Sequence, residues 1–169
     1  EEQAYKWKKV VNYVHKYSKS KIGIQLGHSG RKGSVNVPSV GKDIPLAKRG
    51  WDLISASPIP FNSAMASPRE MTLSDMDTVI SEFVNATINA DEVGFDMVEL
   101  QAHHGFLLAS FLSPLTNIRT DEFGGPVQNR IKFPLEVFKA MREVFTETKP
   151  MSVRISASDW VEDGISEED

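Results

Sequence analysis

Apolar residues recur at three- and four-residue intervals over positions 3–18, where Ala4, Trp7, Val10, Val11, Val14 and Tyr17 are separated by Lys and His. That period predicts an amphipathic helix. A short β-type run, KIGIQLGHSG, follows and ends in glycines. Residues 29–70 show no sustained period and are rich in Gly, Pro and Ser, with apolar islands at 51–60. So long an irregular stretch inside a compact domain is usually functional or mobile, with a floppy insertion as the bland alternative. A second helix is signalled by Thr72 and Asp75, spaced as in a capping box. Leu73, Met76, Ile80, Phe83 and Val84 then form an apolar stripe, and Gly94 ends it. FDMVELQ reads as a buried strand. After a loop at 105–127, a third helix is predicted to bury Ile131, Leu135, Phe138, Met141, Val144 and Phe145. Pro134 is tolerable there only in the first turn. MSVRISASDW supplies a third strand.

Strands alternating with long helices predict an α/β fold with a parallel sheet and right-handed crossovers. Three strands are too few to close a barrel and leave two sheet edges open. The chain opens without an initiator Met and stops at SEED, where another helix is about to start, so it is expected to be a fragment.

Composition narrows the partners. The 169 residues are 40% apolar and 25% charged, as in an ordinary soluble globular domain. No run of about 18 apolar residues predicts a transmembrane helix, and the start, EEQAYKWKKVV, does not resemble a leader. A net charge of −4 favours neither nucleic acid nor a membrane surface as a partner. Without cysteine, disulfides and thiolate metal sites are excluded, and a cytoplasmic location is the default expectation.

Alternation places candidate chemistry on one side of the strands. In FDMVELQ, Val98 and Leu100 suit the helix-facing side, which turns Glu99 and Gln101 inward. In MSVRISAS the same logic sends Val153 and Ile155 to the helices and Arg154 and Ser156 inward, with Gln25 among the inward positions of the first strand. Buried polar groups need partners, so these residues either satisfy one another or face a polar ligand. The bland account is a Glu99–Arg154 ion pair between neighbouring strands. His103 and His104 are expected to project to opposite sides, and no HExxH or carboxylate spacing accompanies them, so no metal site is expected. One of them as a neutral donor to a ligand oxygen is the better role, against a histidine satisfied by loop backbone. GHSGRKGS fails the GxxxxGK[ST] spacing, because Gly33 follows Lys32, and its glycines suggest a tight loop close to a ligand. TDEFGG at 120–125 is first of all a turn.

Four segments resemble the old yellow enzyme family of FMN-dependent ene-reductases, particularly its bacterial class, in the right order and at natural intervals. They are GIQLGHSGRKGS (23–34), SPREMTLSDMD (67–77), VELQAHHGFLLASFLSPLTNIRTDEFGGPVQNR (98–130) and SVRISASDW (152–160). The resemblance covers essentially the whole chain but only the middle of the family's domain. It implies one partial domain over 1–169, a fragment of a (β/α)8 TIM barrel with about strands three to five and their helices. It also implies an FMN-dependent NAD(P)H oxidoreductase that passes hydride through flavin to a conjugated carbonyl, quinone or related acceptor, with NADH or NADPH as reductant. Gln25 and Arg154 would be the cofactor-binding residues. Gln25 would bond the pyrimidine edge of FMN, and Arg154 would lie near N1–C2=O and raise the flavin's potential. Gln101 and His104 would be the catalytic donors that grip and polarise a substrate oxygen, with Phe106 also against the substrate.

Two departures bear on the reaction. The first donor of the family is commonly His or Asn, and here it is Gln101. The proton-donating Tyr two residues past the second donor is replaced by Phe106, which has no proton to give. Conventional enone reduction is therefore expected to be slow, while quinones or a solvent proton would still serve. KRGWDLISASPIPF, NRIKFPLEVFKAMREVF and RISASDWVEDG look closest to the reductase-like half of salicylyl-CoA 5-hydroxylases and anthraniloyl-CoA monooxygenases. That branch would place a fused FAD-monooxygenase domain upstream, and a homo-oligomer is compatible with it. A flavin-binding domain without turnover is a further alternative. The family's flavin phosphate site and the residues over N5 lie in strands outside these residues, so the fragment alone is expected to be inactive.

Overall fold

The computed structural model describes residues 2–37, 39–41, 44–46, 48 and 50–169. The first apolar period forms helix α1, Glu2–Tyr17, which buries Val11 and sets Trp7 edge-on against Phe95. Trp7, Val10 and Tyr17, predicted on the covered side, stay exposed, because α1 meets the rest of the chain mainly along one neighbouring helix. Strand β1, Gly23–Leu26, runs into a 3-10 turn at Gly30–Lys32. The stretch at 29–70 is irregular as predicted, apart from a bridge between Val35 and Pro45 and a two-residue parallel pair, β2 (Ile54–Ser55) with β3 (Arg69–Glu70). Positions 38, 42, 43, 47 and 49 of that stretch lie outside the described residues.

Helix α2, Leu73–Val93, has the expected ends. The Thr72 hydroxyl accepts the Asp75 amide at 3.2 Å, and the Asp75 carboxylate accepts the Thr72 amide at 2.7 Å. Gly94 closes the helix in the left-handed conformation. The buried row is Met76, Val79, Phe83, Thr87, Ala90 and Val93, so the predicted stripe is rotated and Leu73, in the first turn, is 61% exposed.

Strand β4, Met97–Ala102, is followed by a helix that the periodicity did not show, α3, Leu107–Leu112. Six residues, LLASFL, are too short and too uniformly apolar for a 3.6-residue period to be read. A single turn, α4 (Val127–Arg130), leads into α5, Lys132–Val144. Here the buried row is Phe133, Val137 and Met141, continued by Phe145, while Ile131 and Leu135 are exposed. The deciding contact is tertiary: Phe133 meets Phe111 of α3 with ring centroids 4.7 Å apart. Pro134 falls in the first turn, as required.

Strand β5, Met151–Ile155, completes a parallel sheet in the order β1–β4–β5. Register pairs Gln25 with Glu99, Glu99 with Ser152 and Gln101 with Arg154. Val98 and Leu100 are fully buried on the helix side with Phe95, Phe111 and Met141. Burial of each such side chain stabilises the fold by about 1.5–3 kcal/mol. Val153 and Ile155, expected against helices, are exposed, because β5 is an edge strand that no helix among the described residues covers. No helix among these residues is long and apolar enough to cross a membrane.

The SPLTNIRTDEFGG segment is a tied loop. Asn117 Nδ2 donates to the carbonyls of Phe111 and Phe123, both at 2.8 Å. Buried Arg119 donates to the carbonyls of Ala56 and Met71 and forks onto Asp121, whose carboxylate also takes the Phe123 amide. These bonds hold the loop after β4 against the loops around β2 and β3.

Candidate active site

The inward residues form a hydrogen-bonded row across β1, β4 and β5. Gln101 Nε2 donates to Gln25 Oε1 at 3.1 Å, and Gln25 Nε2 donates to Glu99 Oε1 at 2.7 Å. Ser152 Oγ donates to Glu99 Oε2 at 2.9 Å. The Gln25 amide and then Ser152 hold the Glu99 carboxyl below its ordinary value, with a smaller contribution from the charge of Arg154. The anticipated Glu99–Arg154 ion pair does not form. The register puts Arg154 beside Gln101 instead, and its exposed guanidinium makes no hydrogen bond or ion pair among the described residues. Glu99, the hub of the row, and Ser152 were not among the sequence-based site residues; alternation turns both inward, and register sets Ser152 beside Glu99.

Gly27 makes room for this row. A Cβ there would lie 2.3 Å from Gln101 Oε1 and 2.9 Å from Gln101 Cβ. Gly30, at φ +54°, brings its backbone so close that a Cβ would stand 2.8 Å from the Leu107 amide nitrogen. The 3-10 turn is thus seated on the start of α3, and the Leu107 amide donates to the His28 carbonyl. His28 Nδ1 accepts the Gly30 amide at 3.0 Å, and burial lowers the pKa of His28, which keeps it neutral as that acceptor.

The turn after β4 departs from extended geometry. His104 adopts φ +53°, a conformation that is uncommon and strained for a non-glycine residue. Its amide donates to Ser156 Oγ at 3.1 Å, and its carbonyl accepts from Lys32 Nζ at 3.0 Å. Because the chain turns here, the His103 and His104 rings do not point apart as expected. They meet edge-on with centroids 4.2 Å apart. His104 is exposed, and His103 is buried with no loop backbone on its ring. Phe106 is half-buried, with Lys32 Nζ 4.7 Å from its ring centroid and 4.4 Å from that of Phe61. No local sequence signal marks Lys32, because its neighbours Phe61, His104 and Phe106 come from distant segments of the chain. Among the described residues, no cluster of three or more His, Asp or Glu is placed to hold a metal.

Behind this turn, on the Ala102 side of β4, lies a cavity of about 170 Å³ lined by Arg31, Ser113, Ser156 and Asp159. Ala102 faces away from Gln101, so this cavity is distinct from the inner row. The row itself presents mixed donors and acceptors. Gln25 retains one N–H and one carbonyl lone pair after its two bonds, and Arg154 presents free donors beside it.

A parallel β/α unit of this kind is the repeating piece of a parallel α/β barrel. The chain belongs to the NADH:flavin oxidoreductase / NADH oxidase family, whose model matches residues 1–169. It is 41% identical over 150 residues to an NADPH dehydrogenase of Geobacillus sp. (strain WCH70), covering 89% of this chain and 39% of that protein. It is 38% identical over 169 residues to an NADPH dehydrogenase of Listeria monocytogenes serotype 4a, covering 100% of this chain and 45% of the relative. Among solved structures, morphinone reductase aligns with a TM-score of 0.77 at 30% identity, over 92% of this chain and 42% of that one. Morphinone reductase in complex with tetrahydroNAD aligns with a TM-score of 0.80 at 28% identity, over 98% and 47%. These likenesses identify the fold as part of a (β/α)8 barrel. The chain spans less than half the length of the relatives it matches.

Proposed function

We propose that this chain forms the substrate-facing side of an FMN-dependent NAD(P)H oxidoreductase. The observation that carries the reading is the inner row of Gln25, Glu99, Gln101 and Arg154 in a chain that a flavin oxidoreductase family matches along its length. Bound FMN would supply the redox chemistry, taking hydride from a nicotinamide and passing it to a conjugated carbonyl, quinone or related acceptor. Gln25 and Arg154 would hold the flavin. Gln25, oriented by Glu99 and Gln101, offers an amide of fixed polarity, and Arg154 offers a positive charge that favours a reduced, electron-rich ring. His104, exposed on a strained turn, would donate to an acceptor oxygen and so draw electron density from the conjugated carbon. Gln101 keeps one N–H for the same oxygen but has its other tied to Gln25. Phe106 shields the site and cannot protonate the product carbon.

This assignment favours acceptors that need no proton from the enzyme. In anaerobic stopped-flow, the intact protein loaded with FMN and reduced by NADPH should be reoxidised faster by a quinone than by a cyclic enone. Phe106→Tyr should then raise the enone rate by about a hundredfold or more, the scale of a positioned general acid. An unchanged enone rate in Phe106→Tyr contradicts the role given to Phe106. A second reading, a flavin-binding domain without turnover, draws support from the same two residues, Gln101 and Phe106, and predicts reoxidation by oxygen but by neither organic acceptor. The narrower aryl-CoA reading rests on the segments at 48–61, 129–145 and 154–164, and predicts an FAD-binding domain encoded upstream.

A further inference from the structure

The cavity behind the His104 turn has no part in the inner row. Its volume of about 170 Å³ is enough for a ligand of about benzene size. Ala102, Ala109, Leu112 and Ile165 give it an apolar wall, and Arg31 and Asp159 supply its charged groups. Arg31 is only 8% exposed. Its Nη1 donates to the carbonyls of Ile59 at 3.3 Å and Pro60 at 3.4 Å, while Nε and Nη2 make no hydrogen bond among the described residues. Nη2 stands at the cavity's edge, where a Cβ on Gly105 would lie 3.5 Å from it. Asp159 Oδ2 accepts from Ser113 Oγ at 2.6 Å and from the Ile165 amide at 2.9 Å, and Oδ1 accepts from none of the described residues. Burial lowers the pKa of Arg31 and the charge of Asp159 opposes that shift, yet the two form no ion pair among the described residues.

A buried guanidinium with unused donors and a carboxylate with unused lone pairs thus line one apolar space, and buried polar groups call for partners. A small anion is attracted by Arg31 but repelled by Asp159, and a cation meets the reverse. An uncharged group with a carbonyl oxygen and an N–H side by side satisfies both. Water also satisfies both, but it leaves the apolar wall without close contacts. We propose that this cavity binds a small uncharged carboxamide. Its oxygen accepts from Arg31, its NH2 donates to Asp159, and a compact hydrocarbon body lies against Ala102, Ala109, Leu112 and Ile165. The site goes beyond the oxidoreductase reading and does not depend on it. It adjoins the proposed substrate face through Ser156, which lines the cavity and accepts from the His104 amide.

The test is isothermal titration calorimetry of the intact protein with cyclopentanecarboxamide, an aliphatic probe that has no aromatic face to stack on flavin. Wild-type protein should bind it saturably with a dissociation constant of about 1 mM, in the range for a ligand of this size. Cyclopentanecarboxylate should bind about tenfold more weakly, because Asp159 repels it. Arg31→Met should weaken the amide about tenfold, the scale of one hydrogen bond lost from a desolvated site. Ala109→Leu, which fills the cavity, should remove saturable binding. Asp159→Asn takes away the repelling charge, so the carboxylate should then bind as tightly as the amide or more so. No saturable heat from the amide in the wild type leaves water as the occupant and overturns the proposal. A wild type that prefers the carboxylate also overturns it, as does an amide affinity that neither Arg31→Met nor Ala109→Leu changes. Thermal midpoints of the variants separate lost contacts from lost folding, and the wild-type comparison of amide with carboxylate needs no variant. Flavin reduction by NADPH, measured in parallel, decides the oxidoreductase reading separately.

Discussion

Gln25 is bonded at both ends of its amide, so it transmits geometry as well as making contacts. Replacing it with Leu strips Glu99 of the donor that does most to lower its pKa and leaves Gln101 Nε2 without an acceptor. Gln25→Leu should therefore weaken FMN binding to the intact protein by about tenfold, since one hydrogen-bonding group is lost and two others are released. Fluorescence quenching of FMN measures this, and an unchanged dissociation constant would place the flavin elsewhere. Gly27→Ala tests the same row sterically. Its Cβ collides with the Cβ of Gln101 as well as the mobile amide, so the strand end must shift at about 1–3 kcal/mol. Urea unfolding reports that loss. These residues were legible in part: alternation alone turned Glu99, Gln101 and Arg154 inward. The partners were not legible. Only register shows that Arg154 stands beside Gln101 and that Ser152 takes the place beside Glu99.

Elements differ in how much of their logic is local. The ends of α2 could be read from Thr72, Asp75 and Gly94, because capping involves groups three residues apart. Thr72→Ala should cost about 1 kcal/mol in stability, the usual value for a lost N-cap, and a midpoint of chemical unfolding that does not move would contradict the cap. The faces of α2 and α5 were read less well, since Leu135 and Phe133 are equally apolar and only the contact with Phe111 decides between them. The loop after β4 is an element in its own right, held by Asn117 and Arg119. Arg119→Met keeps the volume but leaves the Ala56 and Met71 carbonyls without a donor, so it should destabilise by roughly 2–3 kcal/mol. The loss should appear as early proteolysis within residues 105–127.

At the scale of the whole molecule, acid should be destabilising in two stages. Burial lowers the pKa of both His28 and His103, so the unfolded chain binds more protons than the folded one as pH falls below about 6.5, and stability drops through that range. Asp75, paired with Arg69, and Asp96, held by the Ile22 amide, His15 and Lys21 against an opposing effect of burial, also have lowered pKa values. Their contribution is complete above the ordinary Asp value near 3.8 and is lost as pH falls below it. Thermal midpoints measured from pH 8 to pH 3 should show both steps, and His28→Gln should shrink the first. Fold class was legible at this scale, because the alternation of helices and strands leaves few topologies. The exposure of Val153 and Ile155 was not, since it depends on what covers β5 rather than on β5 itself.

In the proposed enzyme, the polar row across β1, β4 and β5 is one wall of the flavin site. The most direct measurement is the visible spectrum of the intact protein carrying this chain, purified with FMN present and then mixed anaerobically with NADPH. The protein should be yellow, with about one FMN per chain whose absorbance bleaches on mixing, and the Gln25→Leu, Arg154→Met double variant should hold markedly less flavin. A colourless protein that takes up no FMN, or a double variant that holds flavin as tightly as the wild type, would contradict it.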